Sequence, residues 1–152
     1  MNIDIDTGGI FEGGNAIFWK GMTEKDVLLI DSIELSDFLR RKRMSFCHIE
    51  TPLVIFGLIF SISIVFQDSI IKKIELRLDD SCGCSGIGSA GIESGQDPLG
   101  AMKRFFLKLL SKIENIAPNI VFLPEVGFRH KWGKIVVIEN IKNFDCYIVI
   151  EY

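Results

Sequence analysis

Cys82-Gly83-Cys84 is the most reactive-looking run in the chain. Thiolates bind soft metal ions, and Cys47-His48 offers two further ligand types. Structural zinc sites separate paired cysteines by about two to four residues, whereas here the gap is one. Cys82 and Cys84 are therefore a candidate metal pair, with a labile disulfide or a plain exposed pair as competing readings. Gly86-Ile87-Gly88-Ser89-Ala90-Gly91 matches the bare G-x-G-x-x-G spacing of phosphate-cradling loops. Such a cradle needs a strand before it and a helix starting on it, so that backbone N–H groups meet the phosphate. A strand signal ends near Leu78, but the helix signal starts only at Pro98, and no Lys-Ser or Lys-Thr pair follows the glycines. The segment 79–97 therefore reads as a glycine-rich surface loop open to contacts. His48 and His130 lack a triad-like context. Neighbours on a strand face opposite ways, which separates Cys47 from His48.

The elements that must position these residues are mostly strand-like. Ile3 with Ile5, and Ala16-Ile17-Phe18-Trp19, are short apolar patches. Thr23 predicts a helix start, with Asp26 at the capping-box position. Ser36 predicts a cap for a second short helix over 37–41. Phe46 to Glu50, Ile55 to Phe66 and Ile70 to Leu78 are rich in Ile, Val and Phe, and Gln67-Asp68-Ser69 predicts a hairpin turn. Ile74, Leu76 and Leu78 alternate with Lys73, Glu75 and Arg77, the pattern of a sheet with one buried and one wet face. Asp97-Pro98 is a helix entry. Apolar residues from Leu99 to Ile113 recur at helical spacing, predicting one long amphipathic helix over Pro98 to Glu114. Two strands, about Lys134 to Glu139 and Cys146 to Glu151, close the chain, with Cys146 a small core residue. The expectation is a single α+β domain over 1–152. Its antiparallel meander sheet has about five or six strands, with the long helix on one face and short helices near the N-terminus.

The chain has 152 residues, 48% of them hydrophobic, and a net charge of -3. That hydrophobic content excludes intrinsic disorder, and the acidic balance argues against a nucleic-acid binder. Charge is uneven. Residues 1–37 hold eight acids and two bases, a net of -6, followed by the basic block Arg40-Arg41-Lys42-Arg43. That block suits the C-terminal end of a short helix. The uncharged run from Thr51 to Phe66 is shorter than the roughly 18–20 residues a spanning helix needs. It also carries Pro52 and Gly57, and so reads as buried sheet. No signal peptide is evident, and reduced thiols in the cytoplasm are the expectation.

Two segments carry a resemblance. Phe18-Trp19-Lys20-Gly21-Met22-Thr23-Glu24-Lys25-Asp26-Val27 resembles the helix entry of small bacterial α+β domains of the BamE-like and beta-lactamase-inhibitor-like kind. Trp132-Gly133-Lys134-Ile135, with the closing Tyr147-Ile148-Val149-Ile150-Glu151-Tyr152, is similar to the close of small bacterial proteins that look like immunity proteins of polymorphic or contact-dependent toxin systems. The resemblance implies a non-enzymatic protein with no cofactor, whose partner is a cognate protein toxin. Were that toxin a basic nuclease domain, Asp31, Glu34 and Asp37 would be the candidate interface, mimicking phosphate and speeding encounter. The alternative is a small-molecule or metal-binding module built on the glycine-rich loop and Cys82/Cys84.

Overall fold

Alternation of Ile, Val and Phe with polar residues is what the long strands of this protein share, and it decides the fold. The computed structural model describes residues 1–152 apart from 5, 37, 80–96, 116, 123 and 144. Strands β1 (Asn2–Ile3), β2 (Ile10–Glu12) and β3 (Asn15–Phe18) form a three-stranded antiparallel sheet. A short helix α1 (Glu24–Leu28) follows, opened by the expected capping box between Thr23 and Asp26. Then come β4 (Leu39–Arg41), β5 (Met44–Ile55), β6 (Leu58–Gln67) and β7 (Ile70–Leu78). Helix α2 (Pro98–Glu114) precedes β8 (Ile120–Phe122), β9 (Glu125–Arg129), β10 (Lys134–Asn140) and β11 (Asp145–Glu151).

These last eight strands make one antiparallel sheet in the order β4-β5-β6-β7-β11-β10-β9-β8. Two four-stranded meanders meet at their final strands, with Ile74 of β7 opposite Ile150 of β11. The expected α+β domain with a sheet of about five or six strands is thus overturned. The described chain is mostly β, with eleven strands in two sheets and two helices. Helix α2 forms where its capping and periodicity place it, but it is a minor part of the whole.

Three local features account for the difference. Ile55 to Phe66, expected as one strand, starts across a tight turn on Phe56 (φ 55°) and Gly57 (φ 76°): Ile55 ends β5, the rest enters β6, and the two strands pair. Turns with both central residues at positive φ match the twist of paired strands, and glycine enters that region without steric cost. Within the expected helix over 37–41, residues 39–41 are instead an edge strand: Leu39 pairs with Phe46 and Arg41 with Met44. The basic block therefore forms a hairpin tip, where Arg40 reaches Glu24 at 3.0 Å and Arg43 reaches Asp68 at 2.6 Å. The third feature is the short pair β8–β9, which no strand expectation covered. The expected turn at Gln67-Asp68-Ser69 is present, with Asp68 and Ser69 at positive φ.

The core lies on one face of the large sheet. Cys47, Ile49, Phe60, Ile62, Ile64, Ile74, Leu76, Ile148 and Ile150 are buried there, in one cluster with Ile3, Ile10, Phe18, Phe106 and Leu110. The three-stranded sheet and both helices belong to that layer. Phe106 of α2 meets Phe60 of β6 with ring centroids 6.2 Å apart, and Lys103 reaches Glu139 at 2.8 Å. No helix among the described residues is long and apolar enough to cross a membrane.

Candidate functional site on the open sheet face

The side chains that alternate with the core face occupy the other face of the large sheet. Register places Ser36, His48, Ser63 and Glu75 in one row, and Val149 and Val136 continue it. The segment 34–36 extends the sheet beside β5. Ser36 N–H donates to the His48 carbonyl at 2.9 Å, and Ser36 Oγ accepts the His48 N–H at 2.8 Å. Ser63 Oγ lies 2.8 Å from His48 Nδ1.

The next groups are charged and pinned. Glu75 accepts from Lys73 Nζ at 2.6 Å and from Arg77 Nη2 at 2.9 Å. Arg77 also pairs with Asp145 of β11, and its guanidinium carbon stands 3.9 Å over the Tyr147 ring. Burial would push the Glu75 carboxyl up. Hydrogen bonds and charge from Lys73 and Arg77 outweigh that and hold it below the usual carboxylate range. Further across, Lys134 sits between Glu125 at 2.6 Å and Glu151 at 3.3 Å. Burial lowers its pKa, but the two carboxylates win and raise it. A second small apolar cluster, Ile120, Val136 and Val149 with Ile138 and Tyr147, fills the space between these pairs. A groove of about 500 Å³ runs along β5–β7, lined by Phe46, His48, Ser63, Lys73, Glu75 and Arg77 among others.

This geometry suits recognition. An activated serine needs a base that is itself oriented by a third group. Here Glu75, opposite Ser63 on β7, flanks the serine side of the pair and is engaged by Lys73 and Arg77. What the face offers is an array of hydrogen-bond donors and acceptors whose rotamers are already restricted, which reduces the entropy lost on binding.

The expected site residues fall as follows. Asp31 and Glu34 are exposed. The Glu34 carbonyl accepts the Glu50 N–H at 2.8 Å, which sets Glu34 opposite Glu50 at the sheet margin. Asp37, Cys82, Cys84 and the glycine-rich loop lie outside the described residues, apart from the loop's ends, Asp79 and Asp97. Cys47 is buried and His48 exposed on opposite faces of β5, as alternation requires. Among the described residues no group of three or more His, Cys, Asp or Glu could hold a metal ion. Sequence reasoning missed the Arg77 network. Its signal lay in two period-2 runs, Lys73-Glu75-Arg77 and Asp145-Tyr147, and nothing local shows that these strands are neighbours.

No family model matches the chain, and no curated protein or solved structure matches it.

Proposed function

We propose that this chain is a non-enzymatic binding protein of the cytoplasm that neutralises a cognate bacterial toxin, docking it on the open face of the large sheet. The observation that carries this reading is the pinned charge array centred on Arg77, with apolar side chains between its members. Apolar surface with restricted polar groups around it is the composition of a protein-binding patch. Charge favours a basic toxin surface. The Arg77 group is internally matched, and so is the Lys134 group once Lys72, 3.8 Å from Glu151, is included, whereas Glu34 and Glu50 face each other at the margin, with Asp31 exposed in the preceding segment. Like charges directly opposite are unfavourable in an isolated sheet, and a cationic partner would relieve them.

The test has two steps. A protein captured by the immobilised chain from its source lysate is expressed alone and together with the chain. Growth arrest relieved by co-expression supports the reading, and a captured protein that is harmless on its own overturns it. Glu34→Gln with Glu50→Gln is then expected to slow association several-fold and flatten its salt dependence. The groove along β5–β7 favours a second reading, a small-ligand module. That reading predicts a ligand that raises Tm in proportion to the logarithm of its concentration, with no toxin involved.

A further inference from the structure

Glu114 is the last residue of α2, where aligned carbonyls present partial negative charge and an acidic side chain is unfavourable. Its side chain is nevertheless only 4% exposed. Its Oε1 lies 3.1 Å from Nε2 of His130, which is itself mostly buried. His130 stands in the β9–β10 hairpin, closed by its N–H donating to the Gly133 carbonyl at 2.8 Å. The imidazole stacks on Trp132, with centroids 4.8 Å apart and planes 6° from parallel. Trp132 leans on Tyr152 at 5.9 Å and covers Gly8, where a Cβ would come within 2.5 Å of the indole. Tyr152 donates to the Gly8 carbonyl at 2.8 Å, and Lys20 Nζ donates to the Trp132 carbonyl at 3.2 Å. One imidazole thus lies between a helix end and an aromatic stack that joins the two sheets.

We infer that the Glu114–His130 pair is a proton-operated latch: protonated His130 holds the end of α2 against the β9–β10 hairpin, and loss of that proton releases them. Two linked effects act in the same direction. A neutral imidazole still donates one hydrogen bond, but it no longer balances a buried carboxylate at the negative end of a helix. Burial also pushes the Glu114 carboxyl above its ordinary range, against the opposing pull of His130. A carboxyl raised in the folded state contributes stability below its unfolded pKa and loses it as pH rises through the folded one. Raising pH therefore opens the latch on both counts.

The charged groups around the pair are Arg129, Lys131 and Lys134 of the hairpin with Glu151 of β11, Lys20, whose Nζ reaches the Trp132 carbonyl, Lys112 in the last turn of α2, and Asp4 and Asp6 in the segment before Gly8. Burial pushes the Tyr152 phenol up, so it stays neutral across the range. Among the described residues, His130 is the side-chain partner of the Glu114 carboxylate.

The test uses the full chain carrying Trp19→Phe, so that emission reports Trp132 alone. Emission is expected to change in one transition between about pH 5 and 8, the range in which imidazoles change charge. Amide exchange in residues 111–115 and 130–133, corrected for its intrinsic pH dependence, should speed about ten-fold above the transition relative to the central strands. Glu114→Gln is expected to remove the exchange transition, and His130→Gln to remove the emission change. A flat emission profile in the parent overturns the latch, as does an emission transition that persists in His130→Gln. Should His130→Gln fail to fold, the ring resonances of His130 in the parent decide: a titration coincident with the emission change supports the latch, and none overturns it.

Discussion

Burial keeps the thiols of Cys47 and Cys146 protonated. Both are pushed up to about 12, with the nearby carboxylates of Glu24 and Glu139 adding to the effect. In a Cys82→Ser, Cys84→Ser background, a thiol-specific disulfide reagent at pH 8 should label neither cysteine until the chain is unfolded. Rapid labelling of the folded protein would contradict this. Gly8 is a second residue whose role is steric. It sits at φ 71° with the Trp132 ring against the position a Cβ would take. Gly8→Ala should cost about 3 kcal/mol in urea unfolding, while alanine at Gly13, which also has positive φ but open space around it, should cost less. The buried Cys146 and the opposed faces of Cys47 and His48 were legible in the sequence, because strand alternation is local. The seat of Gly8 under Trp132 was not, because the two lie at opposite ends of the chain.

Helix α2 was legible as an element because everything that defines it lies within it. Asp97 accepts from the N–H groups of Leu99 and Gly100 at 3.1 and 3.0 Å, and Asn115 ends the helix in the left-handed region. Asp97→Ala should lower stability by about 1 kcal/mol. Phe106→Ala should lower it by about 3–5 kcal/mol, because the ring is fully buried against Phe60 and Phe105. Thermal or urea unfolding separates the two sizes. The short edge strands were not legible. Leu39-Arg40-Arg41 carries no alternating pattern and is a strand only because β5 pairs with it. β8 is three residues between Pro118 and Pro124, with Val121 69% and Phe122 78% exposed at the sheet edge. Exposed apolar edges recruit other strands. Phe122→Lys should therefore reduce light scattering at high protein concentration and leave Tm nearly unchanged.

At the scale of the whole molecule, charge pairs on the two faces give stability a defined pH window. Glu75 is held below its ordinary value in the folded state, so its contribution is present above its unfolded pKa and fades as pH falls through the folded one. The parent should lose stability more steeply than Glu75→Gln below about pH 4, measured by urea unfolding at stepped pH. Glu114 limits the window from the other side, since its contribution fades as pH rises. The groups that set these limits belong to the open face and to the helix end. The proposed partner binding and the proposed latch are therefore separable by variants at Arg77 and His130.

The amino-acid sequence by itself determined the long alternating strands, the capped helix over 98–114, the tight turn at Asp68-Ser69 and which face of the long strands turns inward. Each rests on periodicity or capping within a few residues, where the physics is local. Only the tertiary structure decided that β7 lies beside β11, which completes an eight-stranded sheet and brings Arg77 to Asp145, 68 positions apart. It alone decided that Glu114 meets His130 and that Trp132 covers Gly8. Strand neighbours depend on how two meanders bury a common apolar face, and that condition involves the whole chain at once.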